Sequence, residues 1–437
     1  MGMNIDSPLS IENLIKSSEG FFKSIPDERK DPDYSFVATL LSALGMFFFQ
    51  EPSLREFQMK MQSDQGDNNL HTLFGVLKIP KTSQFKRLID VVKPEFIYPI
   101  YNHYFKLLSK NKLIQQFQVL SGRYLCILDG TEYYTSNASD KPCEKCMERE
   151  LKNGKTQYYH QILQSVFTKY GTNSVIPFIP EEICIQDGAT KNDCEVNAAK
   201  RVIKRLHEAH PHLDIVINGD DLYSRLPMVE SVLSNKMSFI FVAKDTSHKC
   251  MYEEIAGLRK LKAVEKIQKR NIDGNLHIYE WCNNVPLTGD SDRMVNWFSL
   301  TVLDKTGDRK YYNTWVTDIT PSKENIEELA NCGRAKWKIE NETFNILKNY
   351  GYHLEHSYGH GKDNLSYNFV LLNLIAFFIH IIQRLANPLF QLARVKARTN
   401  YNFFEKLRSA IDFFVWESWD YLFEWVFIKK KPARGPP

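Results

Sequence analysis

Several shortages narrow what this chain can be. Eight cysteines among 437 residues form no regular framework, which argues against a disulfide-stapled secreted fold and for a reduced, cytosolic one. The N-terminus has no apolar h-region of the kind a secretory signal carries. The most apolar run, Phe369 to Ile382, is interrupted by Asn373 and His380. It is too short and too polar for a membrane span, so a buried helix and no membrane partner are expected. A net charge of +4, from 56 basic and 52 acidic residues, gives no global basic field, so any nucleic-acid surface has to be local. Internal repeats and low-complexity segments are also missing.

What is present is length for about three domains with ample core, and aromatics in number, 28 Phe and 21 Tyr among them. From Ile11 to about Gly122 the pattern is helical. Phe36 to Phe49 reads as an apolar helix, Ser53 as the cap of a second through Met61, and Thr82 and Ser83 as caps of a third through Val92. That third helix opens Thr82-Ser83-Gln84-Phe85-Lys86-Arg87. Hydroxyls, an amide and cations in the first turns suit a helix that reads DNA, because base edges and phosphates both accept from such donors.

After Gly122 the period changes to that of strands. Tyr124 to Leu128 ends in Asp129-Gly130-Thr131, so Asp129 is expected where a strand stops. Strands follow at Gln161 to Thr168 and Val175 to Ile179, then a helix from Asp193 to His210, then a strand from Leu213 to Ile217 that runs into Asn218-Gly-Asp-Asp-Leu-Tyr223. Asp129 and Asp220 thus stand at the ends of two strands that can be neighbours in one sheet. Asp221 is the competing carboxylate, but adjacent residues on an extended segment point opposite ways, and Asp220 is the chosen ligand. The next 119 residues are largely β-like. Strands are expected at Ser238 to Val242, Asn275 to Trp281, Trp297 to Leu303 and Lys310 to Thr317, with turns at Asp273-Gly274 and Thr306-Gly307-Asp308.

Lys336 to Lys348 then reads as an amphipathic helix, with Trp337, Phe344 and Leu347 recurring at helical spacing, as do Ile339 and Ile346. Ion pairs four apart are expected between Lys336 and Glu340 and between Lys338 and Glu342. On an uninterrupted helix Lys348 falls roughly 80° round from Glu340. Two aspartates at strand ends and a glutamate on a later helix make an all-oxygen site suited to Mg²⁺ or Mn²⁺. A pair of such ions can activate a water or sugar hydroxyl and stabilise the leaving oxygen of a phosphodiester.

With that site in view, the chain resembles the DDE transposases of bacterial insertion sequences, in the subgroup with a β-strand insertion and a Tyr-Arg-Glu-Lys signature. The segments that carry the likeness are Leu128 to Thr131, Lys191-Asn-Asp-Cys-Glu195, Asn218 to Tyr223, Trp315-Val-Thr-Asp318, Trp337 to Lys348, and Leu354-Glu-His-Ser-Tyr-Gly-His-Gly361. The resemblance implies an α/β (α+β) fold, a ribonuclease H-like mixed-sheet core with an inserted β subdomain between N- and C-terminal helical regions. It divides the chain into a helical DNA-binding domain at 1–121, catalytic segments at 122–236 and 318–384, the insertion at 237–317 and a C-terminal helical region at 385–437. It further implies catalytic metal ligands at Asp129, Asp220 and Glu340, two divalent ions, and Lys348 near the scissile phosphate or flanking DNA. Double-stranded DNA, as transposon ends and target, would be the substrate, bound by a homodimer in the bacterial cytoplasm at the nucleoid.

The Tyr-Arg-Glu-Lys signature is imperfect. Gly333 holds the tyrosine position, Lys336 the arginine position, and Lys348 comes one residue late, with Arg334 as a substitute phosphate clamp. Relatives with the insertion place a tryptophan near its return to the core to hold an unstacked base. Trp315 is taken for that role, beside Tyr311 and Tyr312, although Asn313 occupies the aligned position, the alternative being that Trp315 fills the core. A DNA-binding regulator that no longer cuts, or a non-mobile nuclease of the same fold, is the alternative.

Cys143-Glu-Lys-Cys146 supplies half of a Zn²⁺ site, and His160 is the nearest further ligand; no fourth can be named from the sequence. The terminal Lys-Lys-Lys-Pro-Ala-Arg reads as a solvated basic tail.

Overall fold

The computed structural model describes residues 7–61, 64–184, 194–289 and 291–429, with the backbone alone for 64–68. Lys191 to Asp193 and the basic tail beyond Lys429 lie outside the described residues. The architecture is mixed α/β: one large sheet, parallel at its centre and antiparallel on both sides, with helices flanking it.

The strands are β1 (Gln118–Val119), β2 (Arg123–Ser136), β3 (Met147–Glu150), β4 (Thr156–Thr168), β5 (Ile176–Pro177), β6 (Glu181–Ile183), β7 (Ile215–Gly219), β8 (Ser238–Val242), β9 (Glu265–Arg270), β10 (Leu276–Pro286), β11 (Met294–Leu303) and β12 (Arg309–Thr317). They run in the order β3-β4-β2-β7-β8-β12-β11-β10-β9, with β1 on β2 and both β5 and β6 on β4. β2, β7 and β8 are parallel; every other pairing is antiparallel. Parallel strands need covered faces, and β7 is buried along its whole length.

Two readings of the sequence change here. β2 does not stop at Leu128; it continues to Ser136 against β4, with Asp129 opposite Gln164. What stops is its pairing with β7, whose last partnered residue on β2 is Ile127. The boundary at 237 also places Ser238 to Val242 in the insertion, whereas β8 pairs in parallel with β7 and belongs to the central strands. The inserted strands β9 to β12 extend the same sheet, because β12 pairs with β8 through Trp315, Val316 and Thr317.

The Leu365–Ala386 helix is the axis of the helical part. It has a mean hydropathy of 2.0 in its most apolar window, which is 94% buried. Protein covers it: Tyr101 donates to the Leu371 carbonyl at 2.7 Å, and Phe47 packs edge-on to Phe369. Its buried polar side chains are each anchored by at least one hydrogen bond, while Asn368 Oδ1, Asn373 Oδ1 and His380 Nε2 are left without a partner. Asn368 donates to the carbonyls of Ile89 and Val92, Asn373 to that of Tyr352 and Gln383 to that of Leu9, while His380 meets the Tyr352 hydroxyl. An unpartnered polar group there would cost about 1–3 kcal/mol. At the start of this helix Asp90 accepts four backbone N–H groups, from Lys362, Asp363, Asn364 and Leu365. Burial opposes its ionisation, but the four donors outweigh that and hold its carboxyl below the usual value.

The amino-terminal helices form where capping and apolar spacing put them. Ser35 accepts from Ala38 N–H at 3.0 Å to start Phe36–Phe48, and Ser53 accepts from Glu56 N–H to start Leu54–Met61. The third helix runs Thr82–Asp90, but its N-cap is Lys81 and no side chain caps it. Thr82 instead donates to Gln58, whose amide in turn donates to the Pro80 carbonyl. The hydroxyl expected to face a base is therefore used inside the protein.

Candidate active site

β7 ends at Gly219, Asp220 follows it, and the neighbouring β2 has left β7 two residues before Asp129. Both aspartates thus stand just past the point where the parallel pairing of β2 with β7 ends, Asp220 after the last residue of β7 and Asp129 within the continuing β2. The third carboxylate arrives on the chain that follows the Ile326–Arg334 helix. That helix is fixed to the sheet by Asn218 of β7, which donates to the Cys332 carbonyl at 2.9 Å, and by Trp315 of β12.

Lys336 is the hub. Its ammonium lies 2.9 Å from Asp129 Oδ2 and 3.6 Å from Glu340 Oε1, so one cation already bridges two of the three carboxylates. Asp220 is close enough for its charge to act on both Asp129 and Lys336. Burial raises the Asp129 carboxyl above its ordinary value; Lys336 opposes this, and the charges of Glu340 and Asp220 add to it. Burial alone would lower the Lys336 ammonium, but the three carboxylates outweigh it and raise its pKa.

Glu195 joins this group and was not singled out from the sequence. It is the first residue of the Glu195–Ala209 helix and accepts from the Tyr223 hydroxyl. Its carboxyl is raised, first by burial and then by Asp129 and Asp220, with the Tyr223 hydrogen bond working against both. The signal for it is glycine. A Cβ on Gly130 would sit 2.5 Å from Glu195 Oε2, and one on Gly219 would sit 2.5 Å from the Tyr223 ring. The glycines of Asp129-Gly130 and Gly219-Asp220 therefore make room for the Glu195–Tyr223 pair.

The competing carboxylates have other partners. Asp221 accepts from Lys244 N–H and the Ser247 hydroxyl, and so fastens a loop. Lys338 is not the surface partner of Glu342 expected from the spacing: it is buried and donates to the Thr172 carbonyl. Burial lowers its pKa. Trp337, expected on the apolar face, is exposed. The helix is also interrupted. Residues Trp337–Ile339 are α-helical, Glu340–Phe344 form a π turn, and Asn345–Asn349 resume the α-helix. One extra residue in that turn brings the eighth position after Glu340 roughly to the angle the seventh holds in a plain α-helix, about 20° from Glu340 itself. The expected 80° offset of Lys348 is removed. Lys348 pairs with Glu355 at 2.6 Å.

Trp315 cannot hold a base. It is fully enclosed and stacked on Phe298 at 5.2 Å between ring centroids. Its edge lies 2.6 Å from where a Cβ on Gly333 would be, so a tyrosine at Gly333 would collide with this buried indole. Arg334 lies between two aromatic rings, 4.9 Å from the centroid of Tyr311 and 5.4 Å from that of Tyr170. Of the amino-terminal DNA-reading set, Ser83 and Arg87 are exposed, Gln84 is half-buried, Thr82 is engaged with Gln58, and Lys86 is half-buried against Gly359. Burial lowers the Lys86 ammonium.

No family model matches the chain, and no curated protein matches it significantly.

Proposed function

We propose that this chain is a cut-and-paste DNA transposase with a ribonuclease H-like core, cleaving phosphodiesters at transposon ends and joining the 3′-hydroxyl to target DNA. The observation that carries the reading is the convergence of Asp129, Asp220 and Glu340 on Lys336 where the parallel pairing of β2 with β7 ends. The strand order supports it, with the antiparallel β4 and the parallel β7 on either side of the strand that bears Asp129. The departures from the Tyr-Arg-Glu-Lys signature also have physical reasons. Gly333 is required by Trp315, Lys336 supplies a cation at the arginine position, and the π turn accounts for a lysine one residue late.

The donor set suits Mg²⁺ or Mn²⁺. It is all oxygen, it gathers negative charge that burial disfavours, and it already draws one cation into its centre. Asp129, Asp220 and Glu340 would hold two such ions, with Glu195 in the same field. When bound, the ions supply a polarised nucleophile and charge for the leaving oxygen. Lys336 and Arg334 do the rest with fixed charge: Lys336 orients Asp129 and Glu340, and Arg334, braced by Tyr170 and Tyr311, offers a planar guanidinium to a phosphate. Chemistry of this kind depends on positioning and electrostatics more than on covalent help. With Trp315 enclosed, Trp337 is the exposed aromatic next to Lys336 on which an unstacked base can rest.

The test is incubation of the full chain with Mg²⁺ and a duplex carrying the DNA that borders its gene. Asp129→Ala, Asp220→Ala and Glu340→Ala should each abolish cleavage while leaving binding within a few fold. Near wild-type cutting by any of the three removes that ligand from the site. Binding without cleavage by the wild-type chain favours the regulator, and cleavage without end joining favours the non-mobile nuclease.

A further inference from the structure

At the edge of the sheet formed by β3 and β4, four side chains from three distant segments meet. Cys143 and Cys146 lie in the loop before β3, His160 on β4, and His360 in the turn that leads into the Leu365–Ala386 helix. The two sulfurs are 3.4 Å apart. His160 Nε2 lies 3.5 Å from Cys143 Sγ and 3.3 Å from Cys146 Sγ, and His360 Nε2 lies 3.5 Å from Cys146 Sγ and 3.0 Å from His160 Nε2. Zinc–sulfur bonds of about 2.3 Å and zinc–nitrogen bonds of about 2.0–2.1 Å in a tetrahedron give ligand separations of roughly 3.3–3.8 Å. The observed edges lie at or slightly inside that range.

The orientations also suit a metal. His360 Nδ1 donates to the Gly361 carbonyl at 2.8 Å, which leaves a lone pair on Nε2, turned toward the thiols. His160 presents its Nε2 to the same point, with Glu182 Oε1 3.7 Å from its other nitrogen. Cys146 and His160 are buried, and the Nε2 atoms of His160 and His360 face one another at 3.0 Å beside both sulfurs. The sulfurs are too far apart for a disulfide, whose S–S bond is about 2.0 Å. Mutual contact of all four ligand atoms leaves room for one ion, not for a two-iron cluster whose ligands divide between the irons. Two thiolates and two imidazoles in a tetrahedron select zinc over the hard ions suited to carboxylates.

We propose that Cys143, Cys146, His160 and His360 bind one structural Zn²⁺ ion that pins the turn before the long helix to the outer strands of the sheet. The proposal is independent of the catalytic reading. The ion would hold His360 beside Gly359, on which Lys86 of the amino-terminal helix rests, and would work with Lys145, which donates to Asn364 at 2.7 Å. Residues near 86, 145, 160 and 360 would then be fixed relative to one another through one junction.

The test is the metal content of the full chain, purified without chelators from zinc-replete growth. About one zinc per chain is expected, with X-ray absorption showing two sulfur and two nitrogen neighbours. Cys146→Ser and His360→Ala should each reduce zinc to below about a tenth of an equivalent. Because either variant can fail to fold, a second measurement uses the wild-type chain. After zinc is stripped, Co²⁺ should bind stoichiometrically with the visible absorption of a tetrahedral site and a thiolate charge-transfer band, and Zn²⁺ should displace it. Wild-type protein that carries less than about a tenth of an equivalent of zinc and takes up no Co²⁺ overturns the proposal. Zinc content unchanged in both variants overturns it as well.

Discussion

The carboxylate cluster and the cysteine–histidine cluster belong to the same sheet and are built in opposite ways. Around Lys336 the ligands are oxygens, and one of them, Glu340, is 62% exposed. Around His160, itself 2% exposed, they are sulfur and nitrogen atoms that touch one another. Among the described residues the second cluster is the only set of three or more such side chains whose ligand atoms all lie within 4.8 Å of one another. Closed coordination is the mark of a structural ion, and an incomplete, accessible set is what a site that must admit substrate requires. The fold brings the four atoms of one cluster within reach of one another and leaves the other more open.

The strongest way to break this contrast is to exchange the consequences of mutation. Asp129→Ala or Glu340→Ala should lower Mg²⁺-dependent cleavage by at least about a thousandfold, because the charges that stabilise the transition state depend on these ligands, and should leave bound zinc untouched. Cleavage assays paired with elemental analysis decide it; loss of zinc from these variants would mean the two clusters are not separate.

Next in size is stability. Stripping zinc from the wild-type chain should lower the melting temperature by several degrees, since a ligand at a thousand times its Kd stabilises by about 4 kcal/mol. Removing Mg²⁺ should change it far less. Calorimetry after removal of zinc with a zinc-selective chelator, set against calorimetry of zinc-loaded chain dialysed free of Mg²⁺, makes the comparison, and equal shifts would erase the distinction between a closed and an open site.

A smaller effect tests the support of the open site. Gly333→Ala places a methyl 2.6 Å from the enclosed Trp315 ring, and overpacking of this kind costs about 1–3 kcal/mol. Chemical denaturation should register it, and a neutral substitution would show that the helix bearing Arg334 can lift from the sheet.

The smallest prediction concerns pH. The folded-state pKa of Glu195 is raised above the unfolded value of 4.5, so whatever stability the protonated acid contributes is complete below that value and is lost as pH rises through the folded pKa. Glu195→Gln, which retains an oxygen for Tyr223, should therefore be slightly more stable than wild type at pH 7 without metal and should show no advantage near pH 4. Melting curves at the two pH values test this; destabilisation at pH 7 would give Glu195 a structural role.

The two clusters were also unequally legible. The mixed α/β character followed from local periodicities, and the nearness of Asp129 and Glu340 to Lys336 follows from segments whose elements, though not their exact limits, were legible. His360 could not be assigned, because 200 residues separate it from His160 and only tertiary structure brings them together. Glu195 closed a segment that carries the family likeness but was given no role for the same reason, its other local trace being the glycines it requires. β9 escaped because it is an edge strand, Glu-Lys-Ile-Gln-Lys-Arg, exposed at nearly every position and so without alternation. For Trp315 the core alternative holds, and the sequence left it open because an aromatic near a site looks the same whether it faces solvent or the core. The π turn at Glu340 had no sequence signature beyond a lysine one residue late.

The long helix also sets a problem for synthesis. Its apolar surface is covered by helices made much earlier, and Asp90, which caps it, comes from one of them. Lys110, where the last long amino-terminal helix ends, and Leu365 are separated by about 250 residues, which at roughly 5–20 residues per second takes between about 10 and 50 s to translate. For that interval the first helices leave the ribosome without the element that completes their core. A fragment made without them would carry this 22-residue helix without Asp90 at its start and with only part of its apolar surface covered, by Tyr352, Phe390 and Phe404 among others. The amino-terminal helices are therefore part of what Leu365–Ala386 needs in order to fold.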